Sequence, residues 1–182
     1  MTIRYDGIMI KSYSICPQAA GKYISSLYGT KKNIWIGTDE GIYIYAYATE
    51  TFTYFDLTTP NNVRITSIVN HILQDKDGNL WFSTNGQGLF RYNLSKNYLE
   101  QYEFTSAFGI VASTMADSDN QIWALTNQGE SGVYKLNKAE NKFEPFGLLY
   151  NAGNHHSQAL AMLEDSEQTL WLGTWEKVVN GK

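Results

Sequence analysis

Cysteine is almost missing from this sequence. Cys16 stands alone among 182 residues, which excludes an internal disulfide and a metal cluster built on cysteine thiolates. It reads as a small buried or half-buried hydrophobe. No apolar run approaches the ~20 residues that a membrane-spanning helix needs. The opening MTIRYDGIMIKSYSI has neither the basic n-region nor the apolar h-region of a secretory signal. Positive charge is nowhere concentrated: 14 Lys and Arg are scattered among 18 Asp and Glu, for a formal net charge of −4. A nucleic-acid binder gathers its basic residues into a patch, so that class is disfavoured. No G-x-S-x-G elbow marks a serine nucleophile, no acid–base pair has a recognisable context, and no cofactor is implied.

What is abundant is aromatic: 13 Tyr, eight Phe and five Trp, 14% of the chain. That content favours packed β-structure over helical bundles or disorder. Four of the tryptophans, Trp35, Trp81, Trp123 and Trp171, sit in one recurring motif, NIWIGT, NLWFST, QIWALT and TLWLGT, spaced 46, 42 and 48 residues apart. The neighbours recur with them. Ile34, Leu80, Ile122 and Leu170 come directly before; Thr38, Thr84, Thr126 and Thr174 come three after. Leu27, Leu73, Met115 and Leu163 stand eight before; Asp75, Asp117 and Asp165 stand six before, with Gly29 in the first copy. A period in the forties with four strands per copy is the pattern of β-propeller blades.

Each copy divides into four strands joined by turns. An apolar strand such as VNHILQD is followed by a turn such as DKDGN, where Asp and Gly accept tight backbone conformations. The tryptophan strand comes next, then a polar loop and a glycine (Gly41, Gly88, Gly132) opening a third strand. A fourth strand ends on Phe55, Phe104 or Phe146. Residues 159–164 have helical propensity, but their register against VNHILQD and VASTMAD makes them a strand. The expected architecture is all-β: propeller blades at about 22–57, 66–105 and 110–147, with half-blades at 1–15 and 157–182. The two halves could join into a fourth blade. A four-bladed ring is small, so an open arc, or a dimer of about eight blades, is expected instead.

The repeated tryptophans are read as core, because their register is fixed. The turn Asp75-Lys76-Asp77-Gly78-Asn79 resembles the start of a calcium loop, but it lacks the closing glutamate, and the equivalent turns SDNQ and SEQT do not keep the ligands. With its downstream tryptophan it is also similar to the structural Asp-box hairpin of sialidases. His155 and His156 are adjacent, so in extended chain they point to opposite sides and make a poor shared metal site. His71 on a first strand is read as buried or hydrogen-bonded. No metal site is expected.

The loops that differ most between copies join second to third strands. In a propeller they share a face with the connections between blades, here 58–64, 105–109 and 149–157. That face collects Arg64, Asn85, Gln87, Asn127, Gln128, His155, His156, Trp175 and Glu176. Amides and charges beside an exposed aromatic suit a sugar, whose hydroxyls need partners and whose C–H faces stack on rings. Any single residue of such a surface is ordinarily just solvated; the set is the candidate binding site.

QDKDGNLWFSTNGQGLFRYN and LEDSEQTLWLGTWEK resemble the two-component regulator propeller repeat. The resemblance implies the periplasmic sensor region of a hybrid two-component system, which receives an oligosaccharide and relays it to a histidine kinase elsewhere. Its partners would be that oligosaccharide and the rest of the sensor, or another copy of the chain. Family members carry many more repeats, a second β-domain, a membrane helix and a kinase. Here Val178 replaces the third-strand glycine and the sequence stops at Lys182, so a fragment of the sensor region is expected. A protein-interaction propeller is the alternative reading, and a glycan-cleaving propeller enzyme of the lyase or sialidase kind rests on fold analogy alone.

Overall fold

Runs of four to six β-branched and aromatic residues, set off by polar turns, favour short antiparallel strands. In a computed structural model, residues 2–5, 7–13, 22–104, 109–126, 132–146 and 159–174 are described, and all their regular secondary structure is strand. A hairpin of β1 (Thr2–Tyr5) and β2 (Ile10–Tyr13) comes first. Blade 1 is β3 (Ile24–Gly29), β4 (Asn33–Thr38), β5 (Gly41–Ala46) and β6 (Thr51–Tyr54). Blade 2 is β7 (Val69–Gln74), β8 (Leu80–Thr84), β9 (Leu89–Asn93) and β10 (Tyr98–Tyr102). Blade 3 is β11 (Val111–Ala116), β12 (Ile122–Thr126), β13 (Val133–Asn137) and β14 (Lys142–Pro145). A second hairpin joins β15 (Ala159–Glu164) to β16 (Leu170–Thr174). Each blade is a four-stranded antiparallel meander, and each hairpin is a sheet of its own. Among the described residues the half-blades do not join into a fourth blade: β1 pairs with β2, β15 with β16, and the fold is a partial propeller.

The second strands are buried on both faces, which is why they read as continuous apolar runs rather than alternations. On β8, Leu80 and Phe82 pack toward blade 1 in a cluster with Trp35, Phe55, Ile72 and Leu99. Trp81 points the other way, into a cluster with Val111, Ile122, Tyr134 and Phe143 of blade 3. On β12, Ile122 and Ala124 face back, while Trp123 and Leu125 face the β15–β16 hairpin through Met162, Leu170 and Leu172. Trp35, Trp81 and Trp123 are thus each the contact to the sheet that follows. Trp35 lies 5.7 Å from Phe82 and 5.8 Å from Tyr92, ring centre to ring centre; Trp81 lies 6.1 Å from Phe143. Burying an indole removes ~150–250 Å² from water, worth at most roughly 4–6 kcal/mol.

A carboxylate six residues upstream fixes the indole in the last three copies. Asp75 Oδ2 accepts from Trp81 Nε1 at 2.7 Å while its Oδ1 accepts from the Asn79 amide at 2.8 Å. Asp117 does the same for Trp123 (2.8 Å) and Gln121 (2.8 Å), and Asp165 for Trp171 (2.7 Å) and Thr169 (2.9 Å). One side chain therefore closes the turn and orients the ring. Asn79 Nδ2 also donates to Asp75 Oδ2 at 2.9 Å, so N–H donors engage both oxygens, and the likeness to a calcium loop stops there.

The first copy departs from this. Its turn is one residue shorter, so Trp35 pairs with Tyr28 rather than Leu27, whereas Trp81, Trp123 and Trp171 pair with Leu73, Met115 and Leu163. The expected equivalence of Leu27 and Gly29 is corrected to Tyr28 and Thr30. A one-residue shift turns a strand side chain to the other face, and Leu27 is exposed while Tyr28 packs against the core. Thr30 Oγ1 closes the turn by accepting from the Asn33 amide at 3.0 Å. It has no second oxygen, and Trp35 Nε1 is buried without a partner.

The first strands lie side by side and share another device: a register irregularity at Ser25, Asn70, Ala112 and Leu160, between the paired residues of each strand. Such a bulge frees backbone groups from the ladder. The bulge side chain of one blade serves the next: Ser25 Oγ donates to the Val69 carbonyl at 2.8 Å and Asn70 Nδ2 to the Val111 carbonyl at 2.9 Å.

The tryptophans end in two environments. Trp35, Trp81 and Trp123 are 3%, 1% and 4% exposed, whereas Trp171 is 62% exposed, because no described element packs on that face of the hairpin. The reading of Trp171 as core is corrected to that extent. Trp81→Ala should cost about 3–5 kcal/mol of unfolding free energy, as for large buried aromatics, and Trp171→Ala less than about 1 kcal/mol. Urea denaturation of the two variants measures this, and equal losses would show that the environments are equivalent.

Candidate functional site

In blades 1 and 2 the loop face is built on the threonine that stands three after the tryptophan. Thr84 Oγ1 donates to the Gly88 carbonyl at 2.7 Å and accepts from the Gln87 amide at 3.1 Å. Thr38 repeats this with the Gly41 carbonyl (3.0 Å) and the Glu40 amide (3.2 Å). The hydroxyl takes the place of turn backbone and fixes the loop between second and third strands. Gly88 closes it with φ +76°, and a Cβ there would run into the Tyr102 carbonyl.

Of the nine residues proposed for this face, three fall among the described residues; Asn127, Gln128, His155, His156, Trp175 and Glu176 lie outside them, as does Cys16. The structure brings Arg64, Asn85 and Gln87 together but gives them different tasks. Gln87 Oε1 accepts from the Thr66 and Ser67 amides at 2.8 and 2.9 Å, and its Nε2 donates to the Arg64 carbonyl at 2.9 Å. Its amide therefore clamps the connection from blade 1 to the loop of blade 2 and has little left to offer a ligand. Arg64 pairs with Asp56 at 2.6 Å, and both stay partly exposed. Asn85 donates its backbone amide to Ile68 at 2.9 Å and leaves its side chain in solvent. The amides of Gly86 and Gly88 reach the Gly109 carbonyl, at 3.2 and 2.8 Å, so the loop is laced to the connections on both sides.

In blade 1 the clamp is an aromatic. Tyr54 Oη lies 3.0 Å from the Glu40 carbonyl and 3.2 Å from the Ile65 carbonyl, and burial pushes its pKa up. The fixed register of Thr38 and Thr84 was visible in the sequence. The clamp residues were not, because Gln87 lies in a loop and Tyr54 at the end of β6, and they share no repeat position.

His71, on β7, is half-buried. Its Nδ1 lies 3.4 Å from the Thr114 amide and 3.5 Å from the Ser113 hydroxyl on the neighbouring first strand. Burial pushes its pKa below the ordinary histidine value, so the fold favours the neutral ring. Among the described residues, no group of three or more His, Cys, Asp or Glu converges as metal ligands would.

Two outcomes follow. Gln87→Ala should destabilise the chain by about 1–3 kcal/mol, through backbone groups left without partners, and should raise hydrogen exchange at Thr66 and Ser67 ahead of the blade cores. For His71 the folded state titrates below the unfolded one, so its effect is nil above about pH 6.5. Stability should then fall as pH drops below that value, because only the unfolded chain takes up the proton readily. In melts from pH 7.5 to 5, His71→Gln should flatten this limb; an unchanged slope would remove His71 as its source.

The family model described as "Two component regulator propeller" matches residues 61–86, which span the connection into blade 2, its first two strands and the Asn85 loop. No curated protein sequence matches the chain. Among solved structures, the extracellular domain of BT4673 from B. thetaiotaomicron is similar over 94% of this chain and 22% of its own length, at 22% identity and TM-score 0.75. The extracellular domain of BT3049 from the same organism, described as a hybrid two component system, is similar over 94% of this chain and 24% of its own, at 19% identity and TM-score 0.71. Virginiamycin B lyase from Staphylococcus aureus is similar over 86% and 50%, at 19% identity and TM-score 0.63. These likenesses establish the propeller fold, and the chain spans less than a quarter of the two B. thetaiotaomicron domains. Residues 61–86, in blade 2, match the two-component regulator propeller repeat, and the chain is a partial β-propeller of four-stranded blades.

Proposed function

We propose that these blades are part of an extracytoplasmic sensor propeller that binds an oligosaccharide and passes the signal to a histidine kinase borne elsewhere. The observation that carries this is the regulator-propeller repeat at 61–86, set in a fold shared over 94% of the chain with the extracellular domains of B. thetaiotaomicron signalling proteins. The same likeness supports a place outside the cytoplasm. Among the described residues no helix is long and apolar enough to cross a membrane.

The loop face suits binding. Thr84, Gln87 and Gly88 hold its backbone rigid, so little ordering entropy opposes a ligand, while Asn85 and the Arg64–Asp56 pair stay accessible. Asn127, Gln128, His155, His156, Trp175 and Glu176 are the proposed remainder of this face, with Trp175 as the stacking surface. The likeness to virginiamycin B lyase favours a second reading, an enzyme. It is a likeness of fold, and folds host many functions; we infer a non-catalytic role.

The test incubates the full chain with a glycan array and, separately, assays the same glycans for cleavage. Binding without turnover is the expected outcome. Turnover abolished by substitution at His155, His156 or Glu176 would replace the sensor by an enzyme, and capture of a protein partner without glycan binding would replace it by an interaction platform.

A further inference from the structure

Blades 2 and 3 each receive the indole of the blade before them in a seat with a fixed plan. Four positions outline it: the first-strand residue opposite the loop threonine, the residue directly before the tryptophan, and one residue each from the third and fourth strands. In blade 2 these are Val69, Leu80, Phe90 and Leu99, gathered around Trp35. In blade 3 they are Val111, Ile122, Tyr134 and Phe143, gathered around Trp81. With the indole in place, none of them is more than 7% exposed.

Blade 1 carries the same seat. Ile24, Ile34, Tyr43 and Phe52 hold the four positions in the same strand register, clustered with Ile36 and Tyr45. Ile36 and Tyr45 are buried, but all four outline positions remain partly exposed. The repeat tryptophans of this chain pack elsewhere: Trp35, Trp81 and Trp123 belong to the other three clusters. Only Trp171 is left over.

At the far end, then, stands an indole without a seat. Trp171 and its cross-strand partner Leu163 are 62% and 63% exposed on one face of the β15–β16 hairpin. The Asp165 carboxylate holds that ring as Asp75 holds Trp81, so it is presented as the seated indoles are. Among the described residues β16 has no third strand beside it. The β1–β2 hairpin has the pattern of the missing half. Ile3-Arg4-Tyr5-Asp6 repeats Phe90-Arg91-Tyr92-Asn93 of β9, and Arg4 stands opposite Lys11 as Arg91 stands opposite Glu100. This hairpin lies beside blade 1, with Lys11 Nζ 3.4 Å from the Glu50 carboxylate.

Charge agrees with shape. Where blades 2 and 3 meet, the turns before their second strands touch, Asn120 Nδ2 donating to Asp77 Oδ2 at 2.9 Å. In the β15–β16 turn Glu167 holds the position of Asp77, and the blade 1 turn offers Lys31 and Lys32. All three are exposed, and none is in an ion pair among the described residues.

We propose that two copies of this chain join head to tail, with Trp171 of one entering the blade 1 seat of the other. An indole anchored in an apolar seat is the usual centre of a protein interface. The receiving copy's β1–β2 hairpin then supplies the outer strands of a blade whose inner strands are β15 and β16 of its partner. A head-to-tail contact repeats until it closes. Two copies, each contributing three blades and two halves, close a ring of about eight, within the range of known propellers.

The test is light scattering on the full chain eluting from a sizing column, with sedimentation equilibrium for the association constant. The expected mass is twice that of one chain. Trp171→Glu should weaken association by about thirtyfold or more. The ring is exposed in the single chain, so the variant's circular dichroism should match the parent's. Glu167→Lys should also weaken association, by setting like charges against each other. Adding Lys31→Glu and Lys32→Glu to that variant should restore it, because the charges then meet in reverse. A single-chain mass at micromolar concentration would overturn the proposal, and so would association untouched by Trp171→Glu. Loss on Trp171→Glu without rescue by the charge reversal would overturn the head-to-tail arrangement in favour of two Trp171 faces packed on each other.

Discussion

Everything in this chain hangs on blades burying their faces against each other through one indole per repeat. A four-stranded blade has two apolar faces and cannot hide either alone, so its stability is borrowed from its neighbours. Trp35, Trp81 and Trp123 are the largest pieces of that shared surface, each projecting from a second strand into the sheet that follows. The aspartate in the preceding turn makes the arrangement repeatable. It closes the hairpin and accepts the indole N–H, so an aromatic that would otherwise bury an unsatisfied donor arrives with its partner built in. Blade 1, which lacks the aspartate, shows the consequence in its orphaned Trp35 Nε1.

A second layer of contacts is polar and local. Turn residues reach across blades: Lys76 donates its amide to Asn120 Oδ1 at 2.9 Å, and the Ser118 amide and hydroxyl meet the Glu164 carboxylate at 2.6 and 2.7 Å. On the opposite face, threonine hydroxyls and the clamps Tyr54 and Gln87 do the same for loops and connections. Apolar burial supplies most of the cohesion and is nondirectional. These hydrogen bonds supply the direction, setting each blade at one angle to the next. The loop face inherits its shape from them, so residues far from any ligand decide what a ligand would meet.

Much of the fold was legible in the residues. The period of the tryptophan motif, the turn chemistry of Asp, Gly and Asn, and the glycines before the third strands are local signals, and they led to four strands per copy in the right order. The register of the first copy was misplaced by one, since a turn shortened by a single residue leaves an apolar pattern almost unchanged: Leu27 and Tyr28 are both apolar enough to serve. The loop face was legible as a region but not as a division of labour. Gln87 and Asn85 look alike as polar loop residues. Only their surroundings separate a clamp, whose amide meets three backbone groups, from a side chain left in water.

The sequence by itself determined that this protein is a repeat of four-stranded blades with a tryptophan at each interface, because periodicity and turn propensity act over a few residues and need no partner. Tertiary structure alone decided which tryptophans are covered. Trp171 carries the same motif and the same aspartate as Trp81, yet is exposed, because burial belongs to the neighbouring sheet and not to the residue. It also decided that the two half-blades stay apart as separate hairpins. Such placement depends on the angle between blades, which summed packing and cross-blade hydrogen bonds set and no local pattern records.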